Sequence, residues 1–288
     1  MICLTFDVEE RFHSHLTPER TDRHWEAGDR IASIVDHLQQ HSIQATFFVV
    51  SELAEHYPQL VRRMAECGFE VASHSHSHIR MDGADHERIK TDVERSKKIL
   101  EDLTGKAVAG FRAPTWSLNR SDDWFWDMLI GLGFRYDSSL FPFRTHLYGS
   151  FGNPVRPFDL RPGLREIPPS VSSLGPLRLP YGGGFYFRLY PRWLTRKLID
   201  RDLARDKTPI IYMHPWEFDP RDARLEKGLL MRFIGNHNTE GSWREFVDLL
   251  EHYRTTSMVG SVSSFIPVSI LPSTLPVSVP PTRCRTRS

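Results

Sequence analysis

The chain has 288 residues, of which 40% are hydrophobic and 25% charged, and its 37 basic and 36 acidic residues leave a formal net charge of +1. A chain of this length can bury one large core, and its balanced charge gives no broad field that favours nucleic acid or an anionic membrane as a partner. Three cysteines make no disulfide framework, no secretory signal is visible, and prolines interrupt the apolar run 266–279, so the sequence predicts a cytoplasmic protein without a membrane span.

Short apolar runs alternate with amphipathic segments along the first half of the chain. Strands are predicted over 2–6, 45–50, 69–72, 108–111 and 134–136, and helices over 31–38, from 58 to before 68, over 85–103 and over 121–132. After a gap, the same pattern predicts a helix near 191–204, a strand at 210–213 and a helix at 242–253. This alternation is typical of βα units and predicts an α/β fold with a mainly parallel sheet.

Two segments depart from this alternation. Residues 138–190 are rich in Pro, Gly and aromatic residues and include Gly182-Gly183-Gly184, so we expect a long insertion that serves binding. Residues 266–288 are rich in Pro, Ser and Thr, and too little can be buried there to offset the entropy of ordering them. The sequence therefore predicts one catalytic domain over 1–265 and a disordered tail over 266–288.

Polar residues follow five of the predicted strands. They are Asp7 with Glu9, His74 with His78, Arg112, Asp137 and His214. In barrels of parallel strands the C-terminal strand ends face one rim, so we expect these groups to converge. Neutral imidazoles are common ligands of zinc and similar ions, and two of them need only a carboxylate to complete a catalytic three-ligand site. The end of the first strand, with Asp7, Glu9 and Glu10, can supply that carboxylate.

In order and spacing, these motifs resemble the five motifs of the polysaccharide deacetylase (NodB-homology, carbohydrate esterase family 4) family. The motifs are Thr5-Phe6-Asp7-x-Glu9, His74-x-x-x-His78, Arg112-x-Pro114, Asp137-Ser138-Ser139 and His214-Pro215. The subgroup resembled most is the deacetylase of exosortase/PEP-CTERM exopolysaccharide loci, through Asp-Val-Glu near the start and His-Pro-Trp-Glu at 214–217. The resemblance implies a deformed (β/α)7 barrel that removes acetyl groups from N-acetylated sugars with a divalent metal, zinc first among the candidates.

The resemblance also implies a role for each motif residue. Asp7 matches the general base and Arg112 the arginine that holds it, while Glu9, His74 and His78 match the metal ligands. His214 matches the catalytic acid, and Asp137 matches the carboxylate that orients it.

Two positions depart from the family pattern. Val8 separates Asp7 from Glu9 where adjacent aspartates are usual, although residues two apart on a strand share a face, and Glu10 competes for the metal. Thr115 stands where many members carry tyrosine, and a role made by the backbone N–H would survive this change.

Other readings of the same residues stay open. The scaffold could hydrolyse a small cyclic amide or ureide, or it could be an inactive glycan-binding module. Five aromatic residues could stack on sugar faces or simply pack in the core: Trp116, Tyr181, Phe185, Tyr186 and Trp216. His76 is expected to point away from the metal and to support the loop.

Overall fold

The computed structural model describes residues 1–14, 24–219 and 228–262. Seven strands run parallel in a curled sheet, in the order β10 (Ile210–Met213), β1 (Ile2–Val8), β2 (Thr46–Val49), β3 (Glu70–Ser73), β4 (Gly110–Phe111), β5 (Tyr136–Asp137) and β7 (Leu164–Glu166). β6 (Phe158–Arg161) adds an antiparallel edge beside β7, and β11 (Thr255–Thr256) pairs with the start of β1. β8 (Val171–Leu174) and β9 (Leu177–Pro180) form a separate hairpin.

Ten helices connect or follow these strands in the described part of the chain. They are α1 (Gly28–Gln40), α2 (Ser51–His56), α3 (Pro58–Glu66), α4 (His86–Thr104), α5 (Asp123–Gly131), α6 (Gly184–Leu189), α7 (Arg192–Leu203), α8 (Leu229–Asn236), α9 (Thr239–His252) and α10 (Met258–Val262). The predicted helices are present, with ends shifted by a few residues. α4 shows why the pattern was readable: Asp85 caps its first turn, and Gly105 ends it in the left-handed conformation. The sequence pattern missed α2, which is only six residues long and has no capping side chain.

β1 is buried along its whole length, and its side chains alternate between two cores. Leu4 and Phe6 face the helices, where Phe6 stacks on Phe47 at 5.2 Å between ring centroids. Cys3 faces the interior of the curl with residues from neighbouring strands. The same alternation of successive side chains carries Asp7, at the C-terminal end of β1, to the inner face.

The segment 138–190, predicted as an irregular insertion, contains four short strands and α6. Its strands have three or four residues each, too few for a period of two to stand out in the sequence. The segment also packs against β10: the Tyr181 amide donates to the Ser170 carbonyl, and the Tyr212 amide of β10 donates to the Gly182 carbonyl. The predicted α/β class is confirmed, and the deformed (β/α)7 barrel that the resemblance implies is present as a curled, half-barrel parallel sheet.

The predicted tail, 266–288, lies outside the described residues. Among the residues that are described, no helix combines the length and the apolar character needed to cross a bilayer.

Candidate active site

The C-terminal ends of the parallel strands surround a cleft of about 170 Å³. Its walls include Asp7, Glu9, His74, His78 and His214, which come from three strand ends far apart in sequence. Arg112 and Asp137 lie beneath this surface and are fully buried. The predicted convergence is thus observed, although only part of the predicted set reaches the cleft.

Glu9, His74 and His78 each offer one ligand atom, and these atoms lie within 4.8 Å of one another. All three side chains are buried, and the Glu9 Oε2 atom lies 2.6 Å from His78 Nε2. Two imidazoles and one carboxylate form a donor set that suits zinc and similar divalent ions. The residues therefore fit the divalent metal that the family resemblance implies.

A hydrogen bond to the backbone determines which ring nitrogen of His74 carries the proton. Its Nδ1 atom lies 2.7 Å from the Arg112 carbonyl oxygen, which can only accept, so Nδ1 carries the proton and Nε2 is left to bind an ion. Burial, the largest influence, lowers the pKa of His74 to about 4, so the ring is neutral at pH 7, as metal binding requires.

Glu9, rather than Glu10, faces the cleft. The Trp216 indole N–H donates to Glu9 Oε1 at 3.1 Å, which fixes the orientation of this carboxylate. Burial raises the pKa of Glu9, but the His78 imidazole outweighs it and holds the pKa below its usual range. Glu10 instead accepts the backbone N–H groups of Glu26 and Ala27 at the start of α1, and so supports the helix.

Asp7 lies beside the cluster and is held from below. Arg112 Nη1 donates to Asp7 Oδ1 at 2.5 Å, and both side chains are almost completely buried. The guanidinium also donates to Thr5 Oγ1 and Ser138 Oγ, and it lies 4.0 Å from the centroid of the Phe48 ring. The other oxygen, Asp7 Oδ2, lies 3.8 Å from His214 Nε2.

The carboxylate behind His214 is Glu217, and the predicted role of Asp137 is wrong. His214 Nδ1 lies 3.2 Å from Glu217 Oε2, and His214 and Asp137 make no contact with each other within the described structure. Asp137 instead accepts hydrogen bonds from the hydroxyl and the backbone amide of Ser139. Its buried carboxyl group is also hydrogen-bonded to the Glu166 side chain. Burial raises the pKa of both Asp137 and Glu166, so this pair holds a proton more readily than ordinary carboxyls.

Glu217 makes His214 a strong candidate for a proton donor. Burial lowers the pKa of the His214 imidazole, but the hydrogen bond and charge of Glu217 outweigh it and raise the pKa to about 9. Burial likewise raises the pKa of Glu217, but Arg188 outweighs it and brings that pKa down to about 2. At pH 7 the pair is therefore an imidazolium beside a carboxylate.

The histidine loop is braced as expected. His76 points away from the cluster, and its Nδ1 lies 2.8 Å from Ser51 Oγ. Asp92 of α4 accepts the backbone N–H groups of His76 and Ser77. His78 has a φ of 54°, a left-handed conformation that this bracing holds in place.

The aromatic candidates divide into two groups. Trp116, Phe185, Tyr186 and Trp216 line the cleft, as does Thr115. Tyr181 is fully buried and donates to Asp202, so it belongs to the core. Thr115 has a left-handed backbone with φ 54°, and the role of its N–H stays a prediction.

Sequence reasoning missed the parts played by Trp216, Glu217 and Arg188. Trp216 was considered only as a sugar platform, but it also bonds the candidate ligand Glu9. The signal for Glu217 was its position three residues after His214, which a single helical turn brings together. Arg188, 0% exposed in its side chain, lies in the segment without readable periodicity.

Comparison with known families divides the chain in two. Residues 1–135 match the family model described as polysaccharide deacetylase, and residues 138–263 match a model described as a domain of unknown function, DUF3473. The sheet crosses this division, because β7 and β10 belong to the second match. His214, Trp216 and Glu217 also lie in the second match.

Curated relatives match over short regions. A peptidoglycan-N-acetylglucosamine deacetylase of Bacillus cereus is 33% identical over 81 residues, which covers 28% of this chain and 30% of that protein. A peptidoglycan deacetylase of Helicobacter pylori is 28% identical over 128 residues, which covers 43% and 42%. A chitooligosaccharide deacetylase of Sinorhizobium fredii is 34% identical over 82 residues, which covers 28% and 38%. The chain thus spans less than half of the length of these relatives.

Solved structures share the fold over most of the chain. A Mycobacterium smegmatis protein described as a polysaccharide deacetylase has a TM-score of 0.53 at 20% identity, covering 90% of this chain and 82% of that one. A family 4 carbohydrate esterase pseudoenzyme from Bacillus anthracis has a TM-score of 0.50 at 14% identity, covering 90% and 64%. Residues 1–135 are thus similar to the polysaccharide deacetylase family, and 90% of the chain shares the fold of a solved structure described in the same way.

Proposed function

We propose that the protein is a metal-dependent N-deacetylase, a hydrolase of carbon–nitrogen bonds that removes acetyl groups from N-acetylated sugars. The observation that carries the proposal is the placement of a carboxylate and a histidine beside one group of candidate metal ligands: Asp7 Oδ2 lies 3.8 Å from His214 Nε2, and both line the same cleft as Glu9, His74 and His78. Names of the relatives, peptidoglycan and chitooligosaccharide deacetylases, indicate the same class of substrate.

An amide is a poor electrophile with a poor leaving group, so its hydrolysis needs both activation and protonation. When bound by Glu9, His74 and His78, a divalent ion, zinc first among the candidates, supplies Lewis acidity toward the carbonyl and lowers the pKa of a water. Asp7 accepts the proton of the attacking water, and the fixed Arg112 contact keeps its oxygen in place for that task. Burial in the cleft wall keeps competing solvent away from this carboxylate.

His214 completes the reaction as the acid. The amine cannot leave as an anion, so it must gain a proton as the C–N bond breaks. His214 Nε2 faces the cleft, while Nδ1 lies 3.2 Å from Glu217, and the imidazolium is the form able to donate. The aromatic walls from Trp116 and Tyr186 offer apolar faces with polar edges, a surface suited to a sugar ring.

We further propose that the substrate is a polysaccharide or lipid-linked glycan precursor of exopolysaccharide or envelope synthesis. The support is the sequence resemblance to deacetylases of exosortase/PEP-CTERM loci through Asp7-Val8-Glu9 and the segment 214–217. A cytoplasmic location remains part of the proposal, and Cys3 and Cys67, which form no disulfide with each other, are compatible with it.

The direct test is acetate release from N-acetylglucosamine oligomers by the metal-loaded protein. We expect release that stops on chelation and returns with added zinc. Ring opening of hydantoin-like compounds without acetate release would favour the cyclic amide reading. Oligomer binding without turnover by the metal-loaded protein would favour an inactive glycan-binding module.

A further inference from the structure

Glu217 is placed as a fixed support behind His214. One of its oxygens, Oε2, lies 3.2 Å from His214 Nδ1 and accepts the His214 backbone N–H at 2.9 Å. The short 3-10 helix Pro215–Phe218 creates this arrangement, since it folds position 217 back over position 214. The side chain of Glu217 is 2% exposed, so water does not compete for its oxygens.

Arg188 holds the other oxygen of Glu217. Its Nη2 atom donates to Glu217 Oε1 at 3.0 Å, and the guanidinium is fully buried. Arg188 also donates to the carbonyl oxygens of Ile234 and His237, at the C-terminal end of α8. A buried carboxylate without a cation would be costly, so this arginine keeps Glu217 charged and in place.

The triple-glycine run explains how the backbone makes room for this pair. A Cβ atom at Gly184 would overlap the Glu217 carboxylate, and one at Gly183 would overlap the Tyr212 hydroxyl. Only a residue without a side chain allows α6 to approach so closely. The Gly182–Gly184 run, which matches no phosphate loop, thus has a steric role beside His214.

We propose that Glu217 is the positioning residue that orients the catalytic acid His214. Arg188 holds its carboxylate, and Gly184 leaves the space that the carboxylate occupies. The inference rests on the proposed deacetylase function and assigns the orienting carboxylate to the DUF3473 region in place of Asp137. As the C–N bond breaks, its electron pair goes to nitrogen, which takes the proton from His214 Nε2. The neutral ring keeps the proton on Nδ1, which still donates to the Glu217 carboxylate, so the orientation of His214 survives turnover.

The first test needs no activity. In metal-free protein at neutral pH, the His214 Nδ1 proton should give a downfield NMR resonance protected from exchange, assigned by its loss in His214→Gln. We expect Glu217→Gln to remove this resonance and exposed Glu251→Gln to retain it. Asp137→Asn tests the other carboxylate proposed for this role, and it should also retain the resonance. A resonance that Glu217→Gln keeps, or that Asp137→Asn removes, would overturn the proposal, so either variant decides it alone.

The second test separates orientation of the acid from damage to the site. Hydrolysis of 4-nitrophenyl acetate has a leaving group that needs no protonation, whereas an acetamido sugar does. For Glu217→Gln we expect kcat on N-acetylglucosamine oligomers to fall by about 10²- to 10⁴-fold while the metal-dependent ester rate stays within about threefold. Glu217→Asp should recover part of the amide rate.

Equal loss on ester and amide would contradict an orienting role and indicate a structural one. If wild-type protein releases no acetate from any oligomer, the proposed function fails, whereas the NMR comparison still decides whether Glu217 orients His214.

Discussion

The hydrogen bond from Trp216 to Glu9 predicts a measurable share of the metal affinity. Replacing Trp216 with Phe removes the indole N–H, which lies 3.1 Å from Glu9 Oε1, and keeps an aromatic ring beside His214, where the two rings now stack at 4.8 Å. A hydrogen bond to a charged group contributes about 1.5–3 kcal/mol, and each 1.4 kcal/mol is about tenfold in affinity. We therefore expect Trp216→Phe to weaken zinc binding by about 10- to 100-fold, the range typical of groups that orient metal ligands.

Competition against a chromophoric chelator measures this change directly. The matched control is Trp193→Phe, because Trp193 is 66% exposed and is not among the residues that line the cleft. We expect the control to bind zinc like the wild type, with both variants equally stable to urea. An unchanged zinc Kd in Trp216→Phe would refute the reasoning that this indole orients a ligand carboxylate.

Four further outcomes follow from the buried charges. Because the His214 pKa is raised to about 9, the donating form is lost as pH rises through that value, so kcat should fall on the alkaline side near pH 9. In a pH–rate profile of Glu217→Gln, this fall should move down toward the ordinary pKa of 6.5; an unmoved profile would contradict the assignment. Arg112→Met leaves Asp7 as a buried carboxylate without its cation, which should cost about 3–5 kcal/mol of unfolding free energy in urea, against little change for exposed Arg192→Met. Asp7→Asn should retain zinc but lose about 10²- to 10⁴-fold in acetate release, and wild-type turnover would exclude Asp7 as the base.

The family resemblance identified the candidate metal ligands Glu9, His74 and His78, and the strand pattern predicted that they converge. Alternation along β1 places Asp7 and Glu9 on one face, and the strand-end rule brings His74 to the same rim. The choice between Glu9 and Glu10 was settled only by the fold, where the start of α1 uses Glu10 to accept two backbone N–H groups. The second of these N–H groups, that of Ala27, lies 17 residues after Glu10, and no local pattern encodes the contact.

The orienting carboxylate could not be predicted in the same way. Asp137 does end a strand as expected. The position of a residue at a strand end, however, does not determine which neighbouring groups its side chain contacts. In the structure it turns toward Ser139 and Glu166, whereas a 3-10 turn brings Glu217 to His214. The sequence near Arg188, which holds Glu217, lacks a readable period because its strands are short and its glycines serve close packing.

Metal content measured beside activity tests the central claim most directly. Wild type, Glu9→Ala and His74→Ala are reconstituted with zinc, passed through a desalting column, and assayed for bound metal and for acetate released from N-acetylglucosamine oligomers. We expect one zinc per wild-type chain with acetate release, and loss of both in each variant, because each removes one of three converging ligand atoms. A Glu9→Ala protein that retains its full zinc content and turnover would contradict the proposed site.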